Sequence, residues 1–291
     1  MPKFIVERQH RTFTDAQGVV IHFYVWMPGK PRAAVQLAHG VGEHALRYEV
    51  LAQELVNAGY AVFADDHRGH GATGVEMTGG DSSRMGRLGP GGLRATIADL
   101  RQLSGLIRSE LPGVPLVLLG HSWGSLMAQI ILNSHADDYD AAVLTGTSYR
   151  MPGFMNAGDL NAKHAHLGST GAEWLSRDPE VARLFAEDPL TFDADILKLF
   201  GPRDGLRLYG RPRRLARDLP LLIMVGADDS LSGERGAARL AQEYLRRGGL
   251  SDVELIVYDE ARHEIFNELN QEEVREDLLR WLGERVLTPA G

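Results

Sequence analysis

Hydrophobic positions along this chain switch repeatedly between a period of two and a period near that of a helix. Phe4 to Phe13 and Val19 to Trp26 are strand-like and are joined by Asp15-Ala16-Gln17-Gly18, which predicts an antiparallel hairpin at the start. After Pro28-Gly29-Lys30-Pro31 comes a short buried-type strand, Ala34 to Ala38. Tyr48 to Ala58 has helical spacing and meets Gly59 as a C-cap, and Tyr60 to Ala64 is again a strand. Leu93 to Leu111 predicts a helix that stops before Pro112; Pro115 to Leu119 then predicts a strand and Leu126 to Leu132 a helix. Ala141 to Thr145 and Leu221 to Val225 are further apolar strands. A helix at Glu234 to Arg247, a strand at Val253 to Tyr258 and a helix at Gln271 to Val286 complete the series. Strands alternating with helices predict an α/β fold, a mostly parallel central sheet with helices on both faces.

One region breaks the alternation. Between Ser148 and Asp218 there is no strand-like run, while short helical pieces surround Asn161, Val181 and Ile196, punctuated by several glycines and prolines. A stretch of that size inside a compact α/β chain reads as an inserted helical cap and not as a loop. The expected organisation is a core of residues 1–147 and 219–291 with a cap of residues 148–218.

Candidate chemistry sits where the strand Pro115 to Leu119 meets its helix. There Gly120-His121-Ser122-Trp123-Gly124 places one serine between two glycines. A strand–turn–helix of this kind holds the serine in a strained conformation that projects its hydroxyl from the sheet edge. That setting favours a nucleophile over a simple tight-turn residue. A serine hydroxyl needs a base within reach and a third group to orient that base. In this topology the acid comes next in the chain and the histidine last. Asp228 and Asp229 follow Leu221 to Val225; His263, one of 11 histidines, follows Val253 to Tyr258. Groups at the carboxyl ends of parallel strands converge, so Ser122, one of the two aspartates and His263 form a candidate triad.

The developing oxyanion needs backbone donors, one after the nucleophile and one from the loop after an earlier strand. Trp123 supplies the first, and Val41 in His39-Gly40-Val41-Gly42-Glu43-His44 the second. His39, Glu43 and His44 lack a distal ligand, so hydrogen bonding is expected of them and no metal. Asp65-Asp66-His67-Arg68-Gly69-His70-Gly71 reads as a glycine-rich turn pinned by an Arg–Asp pair.

Composition narrows the picture. The 31 basic and 39 acidic side chains give −8, which disfavours a nucleic-acid partner. The basic run Arg203 to Arg217 is broken by Asp204 and Asp218 and reads as solvated surface. With no cysteine, thiolate catalysis and disulfides are excluded. The first residues lack a signal-peptide layout and no apolar run approaches the roughly 18 residues of a membrane span. A soluble cytoplasmic protein is expected. The net charge disfavours adhesion to anionic lipid and leaves a local apolar contact between cap and membrane open.

Five blocks then carry a resemblance: His39 to Tyr48, Asp65 to Thr73, Gly120 to Ser125, Gly226 to Asp229 and Tyr258 to Glu268. Together they resemble the monoacylglycerol lipase/lysophospholipase-like group of α/β-hydrolases, relatives of serine aminopeptidases. The resemblance implies an α/β-hydrolase fold, with Asp229 as the acid, His263 as the base and Val41 with Trp123 as the oxyanion pair. It implies an ester hydrolase that works through an acyl-enzyme with no cofactor and no metal. The expected substrate is a monoacylglycerol or another small ester with a medium acyl chain. Phe154, Met155, Trp174 and Phe185 are the expected pocket lining, and the bulk of Trp123 is expected to narrow the acyl site. An aminopeptidase or amidase, an acyltransferase, or a non-catalytic ligand receptor are the alternatives on the same residues. A dehalogenase is disfavoured, since the turn carries Ser122 and no aspartate.

Overall fold

A computed structural model describes residues 5–287. The eight strands are β1 (Gln9–Thr14), β2 (Val20–Trp26), β3 (Ala33–Ala38), β4 (Tyr60–Asp65), β5 (Leu116–His121), β6 (Ala141–Thr145), β7 (Leu221–Gly226) and β8 (Val253–Tyr258). They form one sheet in the order β1-β2-β4-β3-β5-β6-β7-β8. β2 pairs antiparallel with β1 and β4, and the remaining neighbours are parallel. This is an α/β-hydrolase sheet. The opening strand starts at Gln9, later than the sequence pattern suggests; Phe4 lies outside the described residues.

The parallel strands β3 to β7 are buried on both faces, so successive side chains enter opposite cores, while the edge strand β8 is half-buried. On β5, Leu116 and Leu118 face one core and Val117 and Leu119 the other. The first core receives α3 (Gly92–Glu110), α4 (Trp123–His135) and α7 (Gly233–Glu243), while the second receives α1 (Glu49–Asn57) and α8 (Gln271–Arg285). The apolar stripe of α3, Leu93, Leu100, Leu103 and Ile107, recurs at helical spacing and explains its placement.

Three local features depart from the expected pattern. A short helix, α2 (Gly71–Thr78), stands where a turn was expected to run on. Its first turn is held by the carboxylate of Asp66, just upstream, which accepts the Ala72 N–H at 2.7 Å and the Ala45 N–H at 2.9 Å. The helix expected to reach Arg247 gives way at Tyr244–Gly248 to a π-helical turn. The turn containing Arg68 is indeed pinned by Arg–Asp pairing. Its partners, however, are Asp15 in the first hairpin and Asp99 on α3 (2.6 Å), not the adjacent aspartates.

Residues 148–218 contain α5 (Pro179–Glu187) and α6 (Ile196–Arg207), the latter kinked at Gly201 before Pro202, but no strand among the described residues. Asp178 caps α5 by accepting the Glu180 N–H, and Asp195 caps α6 through the Lys198 N–H. Around Asn161 the chain forms turns, with a short 3-10 segment only at Ala165–Leu167. These segments lie over the carboxyl end of the sheet. Phe192 N–H donates to Gly42 O (3.0 Å), Glu264 N–H to Leu175 O (2.7 Å), and His44 pairs with Asp188 (2.8 Å).

Candidate active site

Ser122 follows β5 and is the N-cap of α4. Among the described residues only Ser122 (φ 51°) and Glu260 (φ 58°) are non-glycines at positive φ. A non-glycine residue held there carries local strain, a feature concentrated at functional sites. The sharp turn needs its glycines. A Cβ on Gly120 would stand 2.7 Å from Gly124 O, and one on Gly124 would stand 2.1 Å from Ala38 O. The turn is fixed by the Ser122 N–H donating to Thr145 O (2.9 Å) and by Ser125 Oγ donating to Ser122 O (2.6 Å). Trp123 N–H is the first of α4, where helix amides lack helical acceptors and the dipole favours negative charge.

Asp229 follows β7 and His263 follows β8. His263 Nδ1 is 2.9 Å from Asp229 Oδ1 and 3.0 Å from Oδ2, and Asp229 Oδ1 also accepts the Leu231 N–H. A proton on Nδ1, beside the carboxylate, leaves Nε2 with a lone pair. That buried atom has no hydrogen-bond partner among the described residues. Hydrogen bonds to a nucleophile often tighten only when substrate binds. The His263 ring lies 4.8 Å from that of His121, the neighbour of Ser122, and 4.5 Å from the ring of Trp174. Burial disfavours the charged imidazolium. The carboxylates of Asp229, Glu264 and Glu43 outweigh it and hold His263 above its ordinary value.

The adjacent aspartates point in different directions. Asp228 turns outward to Lys163 and His164, while Asp229 faces His263. Asp229→Asn is therefore expected to lower kcat by roughly 10³–10⁴, since an amide fails to hold the required tautomer. Asp228→Asn should stay within about threefold on kcat. Comparable losses in both variants, measured on one ester, would contradict this division of roles.

The loop after β3 lies against the nucleophile. A Cβ on Gly40 would stand 3.1 Å from Ser122 Cβ and 2.6 Å from Glu43 Oε1. Val41 is half-buried between Gly40 and Gly42. The polar residues of this loop diverge to separate partners. His39 contacts Gly40 O and accepts the His67 N–H, Glu43 accepts the Gly40 N–H at 2.6 Å, and His44 meets Asp188. Trp123 is packed among His67, His70 and Phe200, and Phe192 covers His70 at 5.1 Å. Burial pushes His70 down to about 3, so it faces these rings as a neutral imidazole.

Of the expected lining residues, Trp174 stacks on His263, and Phe185 lies 4.9 Å beneath the Arg47 guanidinium. Phe154 packs on Tyr149 and Arg235, and Met155 against the core that contains Trp123. Phe200 packs on Trp123, the residue after Ser122, at 5.0 Å, and Phe192 on the neighbouring His70. Phe192 lies in irregular chain with no periodic signal, and nothing in the spacing of α6 singled out Phe200. Two open clefts, of about 610 and 460 Å³, are not lined by Ser122, Asp229 or His263. Ser122 is 9% exposed.

The fold is that of an α/β-hydrolase, with Ser122, Asp229 and His263 each just after a strand of its sheet. Residues 29–270 match the family described as serine aminopeptidase, S33, and the chain belongs to that family. It is 32% identical over 285 residues to a monoacylglycerol lipase of Mycolicibacterium smegmatis, covering 94% of this chain and 97% of the relative. To the human monoglyceride lipase it is 28% identical, over 94% of this chain and 90% of the relative. A carboxyl esterase from Bacillus coagulans has the same fold, with a TM-score of 0.78, 24% identity, and coverage of 96% and 99%.

Proposed function

We infer that the chain is a carboxylic ester hydrolase that works through an acyl-enzyme on Ser122, with a monoacylglycerol or similar small ester as substrate. The observation that carries this reading is the oriented His263–Asp229 pair, with the His263 ring 4.8 Å from that of His121, the neighbour of a serine held at positive φ. Ser122 Oγ attacks the ester carbonyl carbon while His263 Nε2 takes its proton. The Val41 and Trp123 N–H groups hold the oxyanion, and His263 then protonates the leaving alcohol. Water enters, gives a proton to His263 and attacks the acyl carbon; the acid leaves and Ser122 regains its proton. The relatives named as monoacylglycerol lipases support the substrate class.

The family description also raises peptide cleavage. An amino terminus would need a free carboxylate near the site. Glu173 is occupied by Thr170, Gly171 and Asn161, Asp178 caps α5, and Glu187 pairs outward with Arg183. These engagements weigh toward the ester. Among the described residues no helix is long and apolar enough to cross a membrane. Leu167, Leu184 and Leu206, exposed on three separate pieces of residues 148–218, are the groups through which a peripheral lipid contact would form in a cytoplasmic enzyme.

Initial rates on p-nitrophenyl esters of increasing chain length and on a monoacylglycerol test this reading, with Ser122→Ala alongside. Ser122-dependent turnover with an optimum at medium chains is expected. Cleavage of aminoacyl anilides without ester turnover would replace it. Trp123→Met should move the optimum toward longer acyl chains by opening the space against Phe200, at a stability cost of about 1–3 kcal/mol. An unchanged chain-length profile would remove Trp123 from the acyl site.

The pH profile follows from His263. The base acts when neutral, so kcat/KM should rise with pH along a limb centred above 6.5, the ordinary histidine value. The same raised pKa makes the His263–Asp229 pair most stabilising below that value, and the contribution is lost as pH rises through the folded pKa. Activity therefore grows over the range in which this stabilisation fades. A limb below 6.5 would contradict the assignment.

A further inference from the structure

A buried ionic bridge joins the two halves of the site. Arg47, in the turn before α1, donates to Glu43 Oε2 at 2.9 Å and to both oxygens of Glu264 at 2.6 and 2.9 Å. Glu43 in turn accepts the Gly40 N–H at 2.6 Å and the Tyr48 hydroxyl at 2.8 Å. Glu264 directly follows His263, and its second oxygen is also held by the Asn267 side chain. One guanidinium thus connects the loop carrying Val41 to the loop carrying His263, across 217 residues of chain. The two carboxylates are 4–5% exposed. Such desolvated charges are costly unless paired, and the fork geometry of arginine serves both at once.

We propose that Glu43, Arg47 and Glu264 are positioning residues that set the oxyanion loop and the general base as one unit. The proposal rests on the ester-hydrolase reading of Ser122. Gly40 packs so near Ser122 that a Cβ on it would stand 3.1 Å from Ser122 Cβ, and the bond from its N–H to Glu43 anchors the residue just before the Val41 amide. An oxyanion donor is useful only within a few tenths of an ångström of its place, and its outright loss costs roughly 10²–10³ in kcat. Phe185 stacks on Arg47, and Leu175 O takes the Glu264 N–H, so the segments over the sheet rest on the same bridge.

A purely structural bridge would leave the titration of the base alone; this one would not. The groups facing His263 are Asp229 after β7, Glu264 on its own loop, Glu43 and Arg47 from the loop after β3, and His121 at the end of β5. Burial keeps His121 uncharged at neutral pH, and Trp174 brings no charge. Removing the Glu264 charge should therefore weaken the base and move the acid limb of kcat/KM to lower pH.

The test compares Glu43→Ala, Glu43→Gln, Arg47→Lys and Glu264→Gln for ester kcat and KM, for the pH limb, and for the rate at which a fluorophosphonate labels Ser122. Glu43→Ala should lose about tenfold to a hundredfold in kcat with KM within about twofold, a partial form of losing a donor. Glu43→Gln, which keeps an acceptor for Gly40, should recover part of that loss. Arg47→Lys should fall between them, and Glu264→Gln should shift the limb downward. Any variant that does not fold is judged through the remaining ones, with circular dichroism as the control. Folded variants with kcat within twofold and an unmoved limb would overturn the proposal. If the wild-type protein turns over no ester, the hydrolase reading fails separately. The labelling rates still decide the bridge, because phosphonylation of Ser122 uses the same base and oxyanion donors.

Discussion

Ser122→Ala is expected to lower ester turnover by about 10⁴–10⁶, because members of a triad act as a unit and removal of the nucleophile leaves little beyond binding and oxyanion stabilisation. The fold should survive the change. Ser122 is a small residue whose backbone, not its hydroxyl, makes the contacts to Thr145 and Ser125. Alanine at φ 51° inherits the same strain, so its melting temperature should stay near that of the wild type. Ser122→Gly should also be inactive yet more stable, since glycine tolerates this φ and the strain released is of order 1–3 kcal/mol. Thermal melts beside initial rates read both effects. An alanine variant with more than a hundredth of wild-type activity, or a glycine variant less stable than alanine, would contradict the strained-nucleophile account.

The largest stability effect is expected from Arg68→Met. Arg68 is fully buried, pairs with Asp15 and Asp99, and donates further to Gln17 and to the carbonyls of Leu88 and Pro90. It ties the first hairpin, the turn after β4 and the start of α3 into one piece, which keeps that side of the sheet's carboxyl end rigid. Removing it strands two buried carboxylates, which costs roughly 3–5 kcal/mol. The loss should depend on pH. Burial already pushes Asp99 up to about 6 even with Arg68 present. A raised folded pKa means that the group's contribution is fully present below its unfolded value and lost as pH rises through the folded one. Without Arg68 the folded value climbs further, so the deficit should be smaller at pH 5 than at pH 8 in urea unfolding. Equal deficits at the two pH values, or a loss under about 1 kcal/mol, would show that the pairs contribute little.

Legibility in the sequence followed how local each determinant is. The strands β5, β6 and β7 could be read because a strand buried on both faces is a short apolar run, and the turn at Ser122 because its two glycines flank it closely. The helix α2 was not readable. Gly-Ala-Thr-Gly has little apolar period, and its start is organised by Asp66 through space. Spacing alone left Asp228 and Asp229 equivalent; the resemblance favoured Asp229, and the side chains point apart, toward Lys163 and toward His263. The helical pieces near Val181 and Ile196 were visible by period. Which aromatic side chains meet the site was not, because Phe192 sits in irregular chain and its place depends on contact with the loop after β3. In the Glu43–Arg47–Glu264 bridge the first pair is four residues apart, but the link to Glu264 spans 217 residues, a separation that no local pattern encodes.

The central claim is that Ser122 becomes covalently acylated. Its most direct test is to mix the protein with a p-nitrophenyl ester, quench in acid within the pre-steady-state burst, and map the acyl mass to a peptide. The account predicts one acyl group per chain, on the peptide containing Ser122, and none in Ser122→Ala. Turnover with no adduct, or an adduct on another residue, would contradict it.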